Sequence, residues 1–211
     1  MNWLLPAITL FSVLVFFLES GVDWLNLRHA RSNPVPPEFA GRVDDEKARQ
    51  SIFYLSAQTK FGLIKGAAWL AASLSFLWLG GFSALDDRLR GFGLSPVPTG
   101  VAFFGALGLG ASLFSLPFSL YSTFVLEERF GFNLSTARTF WLDQLKGLAL
   151  GVVIGAPVLA ALIWFFQAAG ERAWLWAWGF LAAFQIVMGF LAPVLLMPLF
   201  NKFTPLPEGD L

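Results

Sequence analysis

Cysteine is absent from the 211-residue chain, and with it go disulfides, thiolate nucleophiles and cysteine-based metal sites. Histidine is nearly absent: His29 stands alone, so no pair of imidazoles can be set on one helix face to hold zinc. No recognisable zinc site and no catalytic residue is expected in this chain. Charge is scarce as well, at 13 % of residues, where an ordinary soluble domain carries about 25 %. The 14 basic and 14 acidic side chains balance, which leaves no global basic field to attract a nucleic acid.

What is present is apolar: 56 % of residues are hydrophobic and 17 % aromatic. Lipid offers no hydrogen bonds to an open backbone, so long apolar runs must close their own as helices. The expected fold is all-α, a polytopic membrane protein with about five transmembrane helices plus cytoplasmic-side amphipathic helices. The lipid bilayer is its first partner. Spans of roughly 20 residues are expected near 3–25, 61–83, 100–126, 147–167 and 173–197, within one membrane domain covering 1–211.

Between them the punctuation is specific. The first run lacks a basic start and a small-residue cleavage site, so it reads as a span rather than a signal peptide. Glu19 and Asp23 lie four apart on one helical face, at a wet or protein-facing end or in an internal polar cavity. Arg28, His29 and Arg31 lead into a Pro34–Pro37 stretch of extended geometry, with His29 expected in an exposed loop. From Glu38 to Lys60 the pattern is amphipathic, with Ala48, Ile52 and Leu55 on one face and Asp45 spaced to pair with Arg49. Such a helix either lies on the membrane surface or continues into the second span.

Gly80-Gly81 is expected to end that span, followed by a short polar loop around Asp86, Asp87, Arg88 and Arg90 and a turn over 91–99. In the third span Gly105, Gly108 and Ala111 allow close helix packing, and Pro117 should bend the helix. Asn133 or Ser135 is placed to cap the next helix, whose first turns carry Phe140, Trp141 and Leu145 beside Asp143 and Lys146. Trp174, Trp176 and Trp178 form an interfacial belt at the start of the fifth span. Pro193 interrupts that span, and the tail from Asn201 reads as lying outside the bilayer.

Of the 14 Lys and Arg, only Arg88, Arg90 and Arg172 fall in loops on one side. The positive-inside rule then puts the N-terminus outside and the C-terminus in the cytoplasm. The expected location is a bacterial inner membrane.

Four segments, RSNPVPPEF (31–39), QTKFGLIKG (58–66), YSTFVLEERFGFN (121–133) and LMPLFNKFTPLPEGDL (196–211), together resemble the N-terminal membrane region of the M48 family of CAAX prenyl proteases. These are zinc endopeptidases of the Ste24 type. The resemblance implies spanning helices that wall a large intramembrane chamber. It also implies a zinc ion, held in the full-length enzyme by two His of an HExxH helix and a downstream Glu, with the motif's Glu activating a water. This chain has no HExxH.

On those terms it reads as the chamber-forming, N-terminal portion of such a protease: a truncated product, an excised domain or one half of a split system. It should not hydrolyse peptides alone, and it would partner a C-terminal catalytic half and, in the full enzyme, a peptide or prenylated substrate. Glu127, Glu128 and Arg129 are then either a charged helix end tied by local pairing or a surface that docks the other half or guides substrate. Asn201 and Lys202 carry the same alternatives, Lys202 also reading as an anchor after the last span. A stand-alone membrane scaffold or regulator that kept the fold without catalysis is the other reading, with a small transporter third.

Overall fold

The computed structural model describes residues 3–33 and 44–201. The Pro34–Pro37 stretch, the start of the 38–60 amphipathic pattern, the Asp45 side chain with its expected pairing to Arg49, Lys202 and the rest of the tail lie outside the described residues. The described chain is helical, without strands, and divides into two compact units. One comprises residues 1–88 and 111–133, the other 89–110 and 134–211.

In the first unit, α1 (Leu4–Ser32) and α2 (Asp45–Trp78) pack as a hairpin. Trp78 Nε1 donates to Thr9 Oγ1 at 2.9 Å near one end, and Arg31 donates to Ser56 Oγ at 2.8 Å near the other. Close approach between them falls at Gly66, where a Cβ would meet the Phe16 ring at 3.2 Å. α1 runs on to Ser32, so His29 is exposed on its last turns rather than in a loop. Nothing breaks the helix until Asn33, which precedes a proline and adopts φ −132° and ψ 69°.

α2 settles the alternatives for the amphipathic pattern, at least from Asp45 onward: it continues into the second span as one helix. The Asp44 side chain accepts from the Glu46 N–H at 3.2 Å and starts it. Ala48 is buried, with Ile52 and Leu55 half-buried on the same face. After Gly80 the expected polar loop is instead a short helix, α3 (Gly81–Arg90). Phe82, Leu85 and Leu89 recur at helical spacing there, and that periodicity outweighs the charges between them.

α4 (Pro96–Tyr121) starts on two prolines, which a first helical turn tolerates because its N–H groups need no partner. Thr99 is buried, its hydroxyl donating to the Ser95 carbonyl at 3.0 Å. The helix continues past Pro117 into a π-helical turn, Ser122–Glu127.

The second unit holds α5 (Ala137–Leu150), a π-turn (Gly151–Gly155), α6 (Ala156–Ala168), α7 (Ala173–Leu191), a further π-turn (Ala192–Leu196) and α8 (Met197–Phe200). The cap of α5 is Thr136, whose hydroxyl accepts from Thr139 N–H at 3.2 Å, rather than Asn133 or Ser135. The expected interfacial helix and fourth span are thus continuous. α6 and α7 pack as a hairpin through Phe165 and Phe180, 5.6 Å apart, with Ala173 and Ala177 buried. Small residues do admit close packing, but at Gly100, where a Cβ would stand 2.7 Å from Ile163 Cδ1. At Gly105 and Gly108 it would meet nothing within 4 Å. Lys146 ties the end of the chain back to α5: its ammonium bonds Asp143 at 3.0 Å and the Leu199 carbonyl at 2.7 Å, and stands over the Phe200 ring.

Among the described residues five helical stretches are long and apolar enough to cross a membrane: Leu4–Ser32, Glu46–Trp78, Pro96–Glu127, Ala137–Ala168 and Gly170–Phe200. Few side chains are buried, and Phe11, Phe17, Phe190, Val194 and the three belt tryptophans stand well exposed. Lipid tails are as apolar as leucine, so such a surface carries no hydrophobic penalty in a bilayer.

Candidate functional site

The π-turn Ser122–Glu127 is distinguished from the other two by its cause. Proline crowds the carbonyl four residues before it. Pro157 and Pro198 therefore press on Val153 and Val194, which lie inside the π-turns Gly151–Gly155 and Ala192–Leu196. No proline follows Ser122–Glu127 at that spacing, and Pro117 presses on Leu113, well before it. A π-turn without a proline to explain it is a common mark of a functional segment.

The turn ends in a glycine-dependent cap. Phe132 N–H donates to the Glu127 carbonyl at 2.9 Å and Gly131 N–H to the Glu128 carbonyl at 3.1 Å, with Gly131 at φ +74°. This is the Schellman arrangement, and only glycine adopts that left-handed conformation without strain. Replacing Gly131 with Val is expected to cost about 1–2 kcal/mol, more than replacement with Asn, which tolerates the conformation. Thermal unfolding in detergent reads the difference; equal melting temperatures for the two variants would show that the cap is not what holds the turn.

The cap delivers Phe130 and Phe132 to either side of one α2 side chain, Tyr54, with ring centroids 5.2 and 4.8 Å away, both edge-to-face. Further along the same two helices Phe61 stacks on Tyr121 at 5.0 Å and Trp69 meets Phe114 at 4.9 Å. Large rings rather than close backbones join α2 to the second half of α4, and gaps remain between them. One cavity, about 380 Å³, lies beside the π-turn and is lined by Gln58, Phe61 and Lys65 of α2 facing Ser119, Ser122 and Thr123. The other, about 400 Å³, lies beside the cap, lined by Gln50, Phe53, Ser56 and Lys60 facing Arg129 and Phe130.

Glu127, Glu128 and Arg129 fall together on this turn. Glu127 is half-buried; Glu128 and Arg129 are exposed. Asn133 Nδ2 donates to Glu128 Oε2 at 2.8 Å, and the Arg129 guanidinium stands 6.0 Å from the Phe130 ring centre. Among the described residues none of the three makes an ion pair, so an amide and a ring steady the turn where local charge pairing was the simpler expectation. Asn201 belongs to the other unit, exposed at the end of α8 with its N–H on the Met197 carbonyl at 2.9 Å.

Sequence reading missed Tyr54, Lys60 and Lys65 as site residues. The signal available for the two lysines was the QTKFGLIKG run itself, in which Lys60 follows Gln58 by two residues and Lys65 follows Phe61 by four.

Neither cavity is lined by a carboxylate or an imidazole. Among the described residues no group of three His, Cys, Asp or Glu side chains converges to hold a metal, and these residues do not fit a zinc ion.

Fold and site define a class: a five-span, all-α membrane protein with polar clefts between its helices. The chain belongs to the CAAX prenyl protease N-terminal family. The family model described as "CAAX prenyl protease N-terminal, five membrane helices" matches residues 25–202. The chain is 33 % identical over 216 residues to the CAAX prenyl protease 1 homolog of Oryza sativa subsp. japonica, which takes in 98 % of this chain and 50 % of that protein. With CAAX prenyl protease 1 of Saccharomyces cerevisiae the identity is 34 % over 211 residues, covering 95 % of this chain and 47 % of the yeast protein. The crystal structure of S. mikatae Ste24p superposes with a TM-score of 0.89 at 32 % identity, over 100 % of this chain and 50 % of that one. The chain thus spans about half the length of these relatives, and it corresponds to the N-terminal membrane part of a Ste24-type CAAX protease.

Proposed function

We propose that this chain forms the wall of an intramembrane chamber in a zinc endopeptidase whose catalytic groups, an HExxH helix and its metal, are carried by further polypeptide. The observation that supports this most strongly is the superposition of the whole chain on half of Ste24p. In that assembly the zinc-bearing part cuts a peptide or prenylated C-terminal substrate, and the helices described here enclose and position it.

Glu127, Glu128 and Arg129 are proposed to dock the catalytic half or guide substrate, with Asn201 and Lys202 as further contacts. Carboxylates left without ion-pair partners on a rigid cap are available to another chain. The orientation proposed places this turn on the cytoplasmic side and the N-terminus outside; what supports it is the scarcity of Lys and Arg in the opposite loops. A bacterial inner membrane remains the proposed compartment on the sequence reading alone, since the relatives compared above are eukaryotic.

Replacing Glu127, Glu128 and Arg129 together with Ala should weaken co-purification with a catalytic half by roughly ten-fold or more, as for truncated charged contacts at an interface, and leave membrane insertion intact. Unchanged assembly and activity in that variant would end the docking role and leave a simple helix terminus.

A further inference from the structure

The cavity beside the cap carries a chemistry that the protease reading does not use. Lys60 and Arg129 line it from opposite helices, both exposed, and neither makes an ion pair among the described residues. A third cation stands at its rim, because Arg31 at the end of α1 donates to Ser56 Oγ, and Ser56 lines the cavity. No carboxylate lines it. Glu46 is held by the Gln50 amide at 3.5 Å, and Glu128 by Asn133. Phe53, Ala57 and Phe130 complete the wall with apolar surface, so the cavity combines cations with apolar side chains.

Its level in the bilayer follows from α2. From Phe61 to Trp78 that helix is apolar apart from Lys65 and small hydroxyls, and at 1.5 Å per residue it measures roughly 27 Å. A hydrocarbon layer is about 30 Å thick. Lys60 is the residue before this stretch, which sets the cavity at the headgroup layer.

We propose that this cavity binds the headgroup of an anionic phospholipid. Lys60, Arg129 and Arg31 neutralise the phosphate and the net negative charge, the Gln50 amide donates to phosphate oxygen, Phe53, Ala57 and Phe130 flank the headgroup, and the acyl chains run from Lys60 along the apolar stretch that begins at Phe61. Basic pockets between membrane helices select anionic headgroups in this way. A zwitterionic lipid offers the same phosphate, but its own cation meets three like charges. The site shares Arg129 with the proposed docking turn, whereas Lys60 and Arg31 belong to the lipid site alone.

The test is thermal unfolding of the purified protein in a neutral detergent, titrated in separate arms with phosphatidylglycerol, phosphatidylcholine and inorganic phosphate. Phosphatidylglycerol should stabilise at concentrations roughly ten-fold or more below those phosphatidylcholine requires, given the gain from each basic residue at an anionic surface. Inorganic phosphate, lacking the apolar part, should give no comparable shift. Lys60→Gln with Arg129→Gln should bring the two lipids within about two-fold of each other, each compared with the variant's own lipid-free melting temperature; Lys47→Gln, on the exposed first turn of α2, should keep the full preference. If the double variant does not fold, Lys60→Gln alone carries the test with a partial loss. Equal responses to the two lipids, an equal response to inorganic phosphate, or a preference untouched by these substitutions overturns the proposal. So does a double variant that loses assembly with a catalytic half and keeps its lipid preference, since the cavity would then be a protein contact.

Discussion

Expressed with a polypeptide that carries an HExxH helix, the protein is expected to yield zinc-dependent peptide hydrolysis that chelator abolishes. Expressed alone it should yield none, a difference of about four orders of magnitude or more, because general-base and metal-hydroxide chemistry together account for at least that much. The physical ground is the chemistry of the clefts. The clefts offer ammonium, guanidinium, hydroxyl and amide, and the only histidine is exposed on the last turns of α1. A fluorogenic peptide assay on membranes with one or both polypeptides reads the result directly. Zinc-dependent cleavage by this chain alone would overturn the supporting role, and no cleavage by the pair, once co-purification shows that they assemble, would count equally against it.

The second large effect is structural. Tyr54→Ala should destabilise the protein by roughly 2–3 kcal/mol, since two edge-to-face ring pairs at 5.2 and 4.8 Å are lost together, each worth about 0.5–1.5 kcal/mol beyond burial. Tyr54→Phe should cost far less, because the ring stays and only the hydrogen bond with Gln58 goes. Unfolding of the two variants in detergent separates a ring clamp from a hydroxyl contact. If the Phe variant falls as far as the Ala variant, the clamp is the wrong account. The Ala variant should also loosen the cap, so proteolysis after Arg129 is expected to quicken in parallel with the loss of stability.

Helix number and type were legible in the sequence because apolar runs of membrane length leave the backbone no alternative. The four dispersed segments carried the family for a different reason: their order along the chain is specific where each alone is weak. Boundaries were less legible. α3 was hidden under four charged residues, and its helical period, Phe82, Leu85 and Leu89, sits in a helix of only 10 residues. Close packing fell at Gly66 and Gly100 rather than at Gly105 and Gly108. A glycine states that a neighbour is able to approach, not that one does. At the candidate site the charges were visible, but Tyr54 and Lys60 were not, since pairing α2 with the end of α4 is a matter of which faces meet.

The π-turn at Ser122–Glu127 has a meaning best put as phase. Each residue advances an α-helix by about 100°, so the one extra residue held in that turn sets everything beyond it a third of a revolution away from the direction α4 alone would give. Phe130 and Phe132 find Tyr54, and Arg129 finds the cavity opposite Lys60, only with that offset in place. A single-residue deletion there would leave a more regular helix and aim the whole EERFGFN run elsewhere. Length in this short stretch is therefore constrained as tightly as composition, and a substitution in it is a smaller change to the molecule than a gap.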